Sequence, residues 1–290
     1  MKISKVANII GGQDGAIYGS ELFRFNTKGD CYVFDLKDID KENVNSLEPI
    51  SSFKLDKSDL VVPHSNAVCF GSDYFEKGDT YPLLYSNIYN NYNNCANAEN
   101  KMIGVCLVYR IQRVNDEFRS TLVQMIEIGF CEDHELWKAF PDKHGVRPYG
   151  NFVVDNDTNS YWAFVMRNEK NGTRYFRFDL PSVHNGEIDA RLNVKKVVLD
   201  KDDIREQFDC EYHRFVQGAT VHQGKIYSCE GFHNDKVNRP AIRVIYLSEK
   251  EEKYYDITEH GFTNEPEFIA FCDGKCFYSD AGGNLYNVEF

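Results

Sequence analysis

The residues best placed to do chemistry form short polar groups: Gln13-Asp14, His64-Ser65-Asn66, Tyr149-Gly150-Asn151, Gln217 and Glu265-Pro266-Glu267. Each stands directly before a run of apolar, strand-forming residues. Side chains two apart on a strand share a side, so His64 with Asn66, Tyr149 with Asn151, and Glu265 with Glu267 each present two polar groups together. Adjacent carboxylates raise one another's proton affinity or hold a cation between them, and Pro266 stiffens the backbone that carries this pair. Acid–base catalysis needs groups of differing proton affinity; His64, Glu265 and Glu267 are the catalytic candidates, with Asp14 and Glu230 as further titratable groups near them. Gln13, Asp14, His64, Asn66, Tyr149, Asn151, Gln217, Glu230, Glu265 and Glu267 together make a set that would bind a small polar molecule. Amides and acids would read hydroxyls and Tyr149 would offer a stacking face.

These groups lie scores of residues apart, so one site exists only if the fold gathers the starts of several strands. The chain repeats a plan that does so. Gln217–Phe232 and Asn264–Asp280 each run from a polar start through an apolar strand and a tight turn on Gly-Lys to a second strand ending in Tyr-Ser. Hairpins of this kind, bounded by Gly, Asn and Asp and rich in aromatics, recur along the whole length and imply an all-β chain. Polar starts spaced about 50 to 85 residues apart imply a five-bladed β-propeller in a single domain over residues 1–290. The last blade lacks an outer strand, and Ile3–Ile10 is a spare one, so the N-terminal strand is expected to close the ring on the last blade and cover both edges. Val194–Leu199 reads as the edge of the third blade, Asn90–Lys101 as an inserted polar loop and Glu132–Lys138 as a short helix.

The strings Gln217-Gly218, Gly224-Lys225-Ile226-Tyr227-Ser228-Cys229-Glu230-Gly231-Phe232 and Arg239-Pro240-Ala241-Ile242-Arg243-Val244 resemble a group of uncharacterised bacterial five-bladed β-propeller proteins. The resemblance covers nearly the whole chain and implies no particular activity. It extends, at the level of architecture, to five-bladed glycoside hydrolases of the arabinanase and invertase type, whose acids sit where the inner strands of the first three blades begin. Asp14 matches the first of these positions. His64 with Asn66, and Tyr149 with Asn151, replace the other two, and the carboxylates are displaced to the last blade.

The formal net charge of -12 is opposite to the basic footprint of nucleic-acid binders, so neither nucleic acid nor an anionic membrane surface is an expected partner. The N-terminus lacks the apolar core and cleavage site of a secretory signal, and a cytoplasmic monomer is expected. Nine cysteines, scattered singly with no CxxC pair, read as buried reduced thiols, neither a disulfide framework nor a zinc site. No cofactor is expected; a channel cation such as calcium would suit the oxygen donors, though no dense ligand motif demands it. The leading expectation is small-ligand binding, with a saccharide foremost, at the mouth of the propeller channel. A carbohydrate-active hydrolase or lyase using the same pocket, and a protein-interaction scaffold with a purely structural channel, are the alternatives. Polar strand starts also serve simply to solvate such a mouth.

Overall fold

Turn chemistry sets the hairpins. His222 pairs with Lys225 and Cys272 with Lys275, leaving two-residue loops. In both loops the two central residues have positive φ: Gln223 (49°) with Gly224 (68°), and Asp273 (48°) with Gly274 (76°). This is the type I′ geometry whose twist matches that of antiparallel strands, and glycine adopts it without a Cβ penalty.

The computed structural model describes residues 1–37, 39, 45–88, 102, 104–130, 149–168, 172–213, 215–233 and 235–290. In chain order the strands are β1 (Lys2–Asn8), β2 (Gly15–Tyr18), β3 (Glu21–Phe25), β4 (Asp30–Asp35), β5 (Ser51–Lys54), β6 (Ser65–Phe70), β7 (Leu84–Ile88) and β8 (Val105–Val114). They continue with β9 (Glu117–Ile128), β10 (Tyr149–Asp155), β11 (Ser160–Asn168), β12 (Gly172–Asp179), β13 (Glu187–Asp189), β14 (Val194–Leu199) and β15 (Glu206–Cys210). The last are β16 (Val216–His222), β17 (Lys225–Glu230), β18 (Ala241–Tyr246), β19 (Glu251–Asp256), β20 (Pro266–Cys272), β21 (Lys275–Asp280) and β22 (Asn284–Glu289).

They form five antiparallel blades, β2–β5, β6–β9, β10–β12 with β15, β16–β19, and β20–β22 with β1, the last joining the two ends of the chain. Lys2 pairs with Glu289 and Asn8 with Asn284, so the first strand closes the ring as its alternation implies. The expected loop at Asn90–Lys101 and helix at Glu132–Lys138 fall outside the described residues. Among the described residues no helix is long and apolar enough to cross a membrane.

One strand assignment is corrected. β14, expected at the edge of the third blade, instead adds in parallel to β9 of the second, Lys195 opposite Gln124 through Leu199 opposite Ile128. The third blade is completed by β15, Glu206–Cys210, along β12. Side-chain fit decides between the two runs. Phe208 of β15 stacks on Tyr175 at 5.4 Å and 9°, and Arg174 pairs with Asp209 at 2.6 Å. β14 buries Val194 and Leu199 while extending a long edge that would otherwise be open.

The aromatic residues fill the seams between blades. Between the first and second, Phe23 meets Phe70, Tyr81 and Phe118 edge-on at 5.1–5.6 Å. Ile9, Leu22 and Phe34 pack with Phe268 and Phe277 between the fifth and first. Tyr227 and Ile242 pack with Tyr278 and Val288 between the fourth and fifth. Tyr85 of the second blade, Trp162 and Phe164 of the third and Ile226 of the fourth share one further cluster, so each blade packs against both neighbours and the inner strands meet around the axis.

Candidate functional site at the channel mouth

Each polar group at a strand start coincides with a break in strand register. The shift falls between Ser65 and Ala67 in β6, Tyr149 and Val153 in β10, Val216 and Gly218 in β16, and Pro266 and Phe268 in β20. Ahead of β2, Gln13 N–H donates to the Phe25 carbonyl (2.8 Å) while Phe25 N–H donates to that of Asp14 (3.1 Å), again two residues facing one. A bulge re-aims the side chain of its extra residue. Asp14, Asn66, Gln217 and Glu267 are thus bulge residues at equivalent places in four blades, and Asn151 lies within the shift of the fifth.

Three blades meet through side chains. His64 Nε2 lies 2.7 Å from Gln13 Oε1, and Gln13 Nε2 donates to Glu267 Oε1 at 3.4 Å, linking the second, first and fifth blades. Beside this chain, Gln217 Nε2 donates to Glu265 Oε1 at 2.5 Å, joining the fourth blade to the fifth. His64 follows Val62, a β-branched residue at φ 45°, and Gln217 follows Phe215 at φ 53°. Bulky residues in the left-handed region are strained, and such strain collects where a chain must be aimed for function.

Asp14 and Arg24 lie beneath, and both are 0% exposed. Asp14 Oδ1 accepts from Gly15 N–H (2.7 Å), and Oδ2 accepts from Val68 N–H (2.9 Å), two residues deeper into β6 than Asn66. The amide of Ala219 in β16 also bonds this carboxylate, so Asp14 ties together the inner strands of three blades. Gly218 permits this approach: a Cβ there would stand 2.7 Å from the Glu267 carbonyl oxygen and 3.2 Å from Asp14 Oδ1. Arg24 Nη2 donates to the Gly12 carbonyl (3.0 Å), its guanidinium lies 5.6 Å from the Phe268 ring centre, and Nε and Nη1 have no hydrogen-bond partner among the described residues. Burial pulls its proton affinity down, against the opposing pull of the acids around it, Glu267, Asp14 and Asp280.

Burial pushes the Glu267 carboxyl well above the ordinary range, and the charge of Glu265 adds to the push against the pull of Arg24. Burial raises Glu265 too, against the pull of His233. Burial likewise raises Asp14 despite its amide donors and Arg24. A folded-state Glu267 that keeps its proton above the unfolded value of about 4.3 makes stability fall as pH rises through the raised value. Glu267→Gln keeps the shape of the protonated acid and removes that linkage. Thermal melts from pH 4.5 to 8 should show the falling contribution in the parent and a flatter profile in the variant; equal slopes would show that Glu267 does not titrate differently on folding.

Of the other expected site residues, Asn66 lies at the start of β6 and Tyr149 and Asn151 at the start of β10, the first strands of the second and third blades. Glu230, 1% exposed, points away from this cluster, into the seam with the third blade, where Arg243 Nε donates to its Oε1 at 2.5 Å. Two features went unseen in the sequence. Arg24 was hidden in the aromatic run of β3, although a charge in such a run is itself a signal. Phe215 and Phe232, half-buried with rings 4.2 Å apart, flank Gln217 at the start of the fourth blade and offer an apolar platform.

No protein-family model matches this chain, and no curated protein matches it. Among solved structures it is similar to the glutaminyl cyclase of Myxococcus xanthus, with 9% identity over 99% of this chain and 98% of that one and a TM-score of 0.50. It also matches the hydrazine synthase of Kuenenia stuttgartiensis, with 11% identity over 91% and 60% and a TM-score of 0.41. The WD40 β-propeller domain of Doa1 matches with 10% identity over 95% and 78% and a TM-score of 0.39. At 9% identity the likeness to the glutaminyl cyclase is one of fold alone, and the fold is an all-β five-bladed propeller closed by its N-terminal strand.

Proposed function

We propose that this protein binds a small, uncharged, hydroxyl-rich ligand, a saccharide by chemical class, at the mouth of the propeller channel. The observation that carries the reading is the chain His64–Gln13–Glu267, drawn from three blades and standing over a floor sealed by Asp14 and Arg24. Amides, and carboxyls whose proton affinity burial raises, can both donate and accept, which is what hydroxyls require, and the Phe215–Phe232 pair supports an apolar sugar face.

A thermal-shift screen of mono- and oligosaccharides, with and without divalent ions, should find such a ligand. His64→Ala, Gln13→Ala, Gln217→Ala and Glu267→Ala should then fold and bind it more weakly, each lost hydrogen bond costing about 0.5–1.5 kcal/mol, or about 2- to 13-fold in Kd. If all four variants bind as tightly as the parent, the mouth is not the site. Because burial raises the proton affinity of Glu267, and Gln13 joins it to His64, a second reading is acid-catalysed carbohydrate cleavage at the same mouth. Turnover by the parent, lowered more in kcat than in affinity by Glu267→Gln, would favour it.

A further inference from the structure

We propose that Cys210, His213 and Glu252 form a binding site for a divalent transition ion of zinc's type, in the seam between the third and fourth blades. Cys210 ends β15, His213 follows three residues later, and Glu252 stands on β19 of the next blade. Their ligand atoms lie within 4.8 Å of one another. His213 Nε2 is 3.4 Å from Cys210 Sγ and 3.3 Å from Glu252 Oε2.

The two edges that meet at His213 Nε2 suit a metal better than hydrogen bonds. Metal–ligand lengths of about 2.3 Å to sulfur and about 2.0–2.1 Å to nitrogen and oxygen, at tetrahedral angles, give edges of about 3.6 Å for S···N and about 3.3 Å for N···O. A charge-assisted histidine–carboxylate hydrogen bond would close to about 2.7–2.9 Å. One imidazole nitrogen also cannot serve both neighbours: it carries either a proton for the carboxylate or a lone pair for the thiol.

The surroundings are those of a metal-bound histidine. His213 is 0% exposed, its backbone N–H donates to Thr173 Oγ1 at 3.0 Å, and its other ring nitrogen, Nδ1, faces Tyr175 Oη at 3.4 Å and Glu230 Oε1 at 4.0 Å. With its proton on Nδ1, donated to the Tyr175 hydroxyl, the ring would present the Nε2 lone pair to an ion. Arg243 holds both carboxylates, Glu230 through Nε and Nη2 (2.5 and 3.2 Å) and Glu252 through Nη1 (3.0 Å). Among the groups facing the ion, a thiolate and the two carboxylates Glu230 and Glu252 against one guanidinium and a dication sum to zero, with Glu211, 3.7 Å from Arg243 Nη1, exposed outside that sum. Binding converts the Cys210 thiol to a thiolate and releases its proton to solvent, with no change of oxidation state. Three protein ligands leave the fourth position to water, and the ion would staple one blade to the next.

The test uses the full chain, stripped with a chelator and titrated with Co2+. One equivalent should produce a thiolate-to-cobalt charge-transfer band in the near ultraviolet and the strong visible bands of tetrahedral cobalt, both erased by Zn2+. Cys210→Ser should lose the charge-transfer band and bind Zn2+ roughly tenfold or more weakly; Glu252→Gln should keep the band at reduced affinity. Absence of the band in the parent overturns the proposal without any variant, and a band that survives in folded Cys210→Ser assigns it to another thiol and overturns it equally.

Discussion

A chain lacking residues 1–10 should fail to fold cooperatively. β1 supplies the outer strand of the fifth blade, paired with β22 from Lys2–Glu289 to Asn8–Asn284, and Ile9 N–H donates to the Gly283 carbonyl at 2.7 Å. Ala7 and Ile9 are buried in the seam between the fifth and first blades, and Met1 and Ile3 pack on the seam between the fourth and fifth. Burying side chains of this kind contributes about 1.5–3 kcal/mol for each large one, so their removal, together with a ladder of hydrogen bonds, forfeits on the order of 5 kcal/mol or more. That approaches the whole stability of an ordinary domain, about 5–15 kcal/mol. It also bares the β22 edge to other chains. Insolubility or a lost unfolding transition is expected, with partial recovery when a peptide of residues 1–10 is added. A truncated protein with the parent's melting temperature would show that the ring does not depend on this strand.

Asp14→Ala should be the most damaging single substitution near the channel, and Asp14→Asn should be nearly as damaging. The carboxylate takes amide hydrogens from Gly15, Val68 and Ala219 and helps to balance Arg24. Alanine leaves three buried donors orphaned at about 1–3 kcal/mol each, or about 3–9 kcal/mol for the site. Asparagine retains one acceptor but turns an NH2 towards an N–H, and so recovers little. A catalytic acid in the arabinanase-like position would behave differently, since its amide variant normally folds while activity is lost. Denaturant unfolding at pH 7 separates the two: a loss under 1 kcal/mol in Asp14→Ala would remove Asp14 as the tie between blades.

Much of this was legible in the residues. Alternation and two-residue turns such as Gln223-Gly224 mark the hairpins, because a strand's period and a turn's φ values depend on a few neighbouring side chains. The polar starts were legible for the same reason, and so was the surplus strand at the N-terminus. The exchange of β14 for β15 was not. Val194–Leu199 and Glu206–Cys210 are both acceptable strands, and the choice rests on Phe208 meeting Tyr175 and on β9 having a free edge.

The same limit governs the polar residues. Asp14, Glu230 and Glu267 look alike as acids beside strand ends, yet one ties backbones together, one holds Arg243 in a seam, and one joins His64 through Gln13. Cys210 and His213 stand only three residues apart, but Glu252, which makes their spacing meaningful, arrives from another blade. The sequence by itself determined where strands and turns form and which strand starts are polar, since those follow from local backbone preference and side-chain alternation. The tertiary structure alone decided which edges pair and which buried charges meet, since near-equal local alternatives are separated only by contacts between residues far apart in the chain.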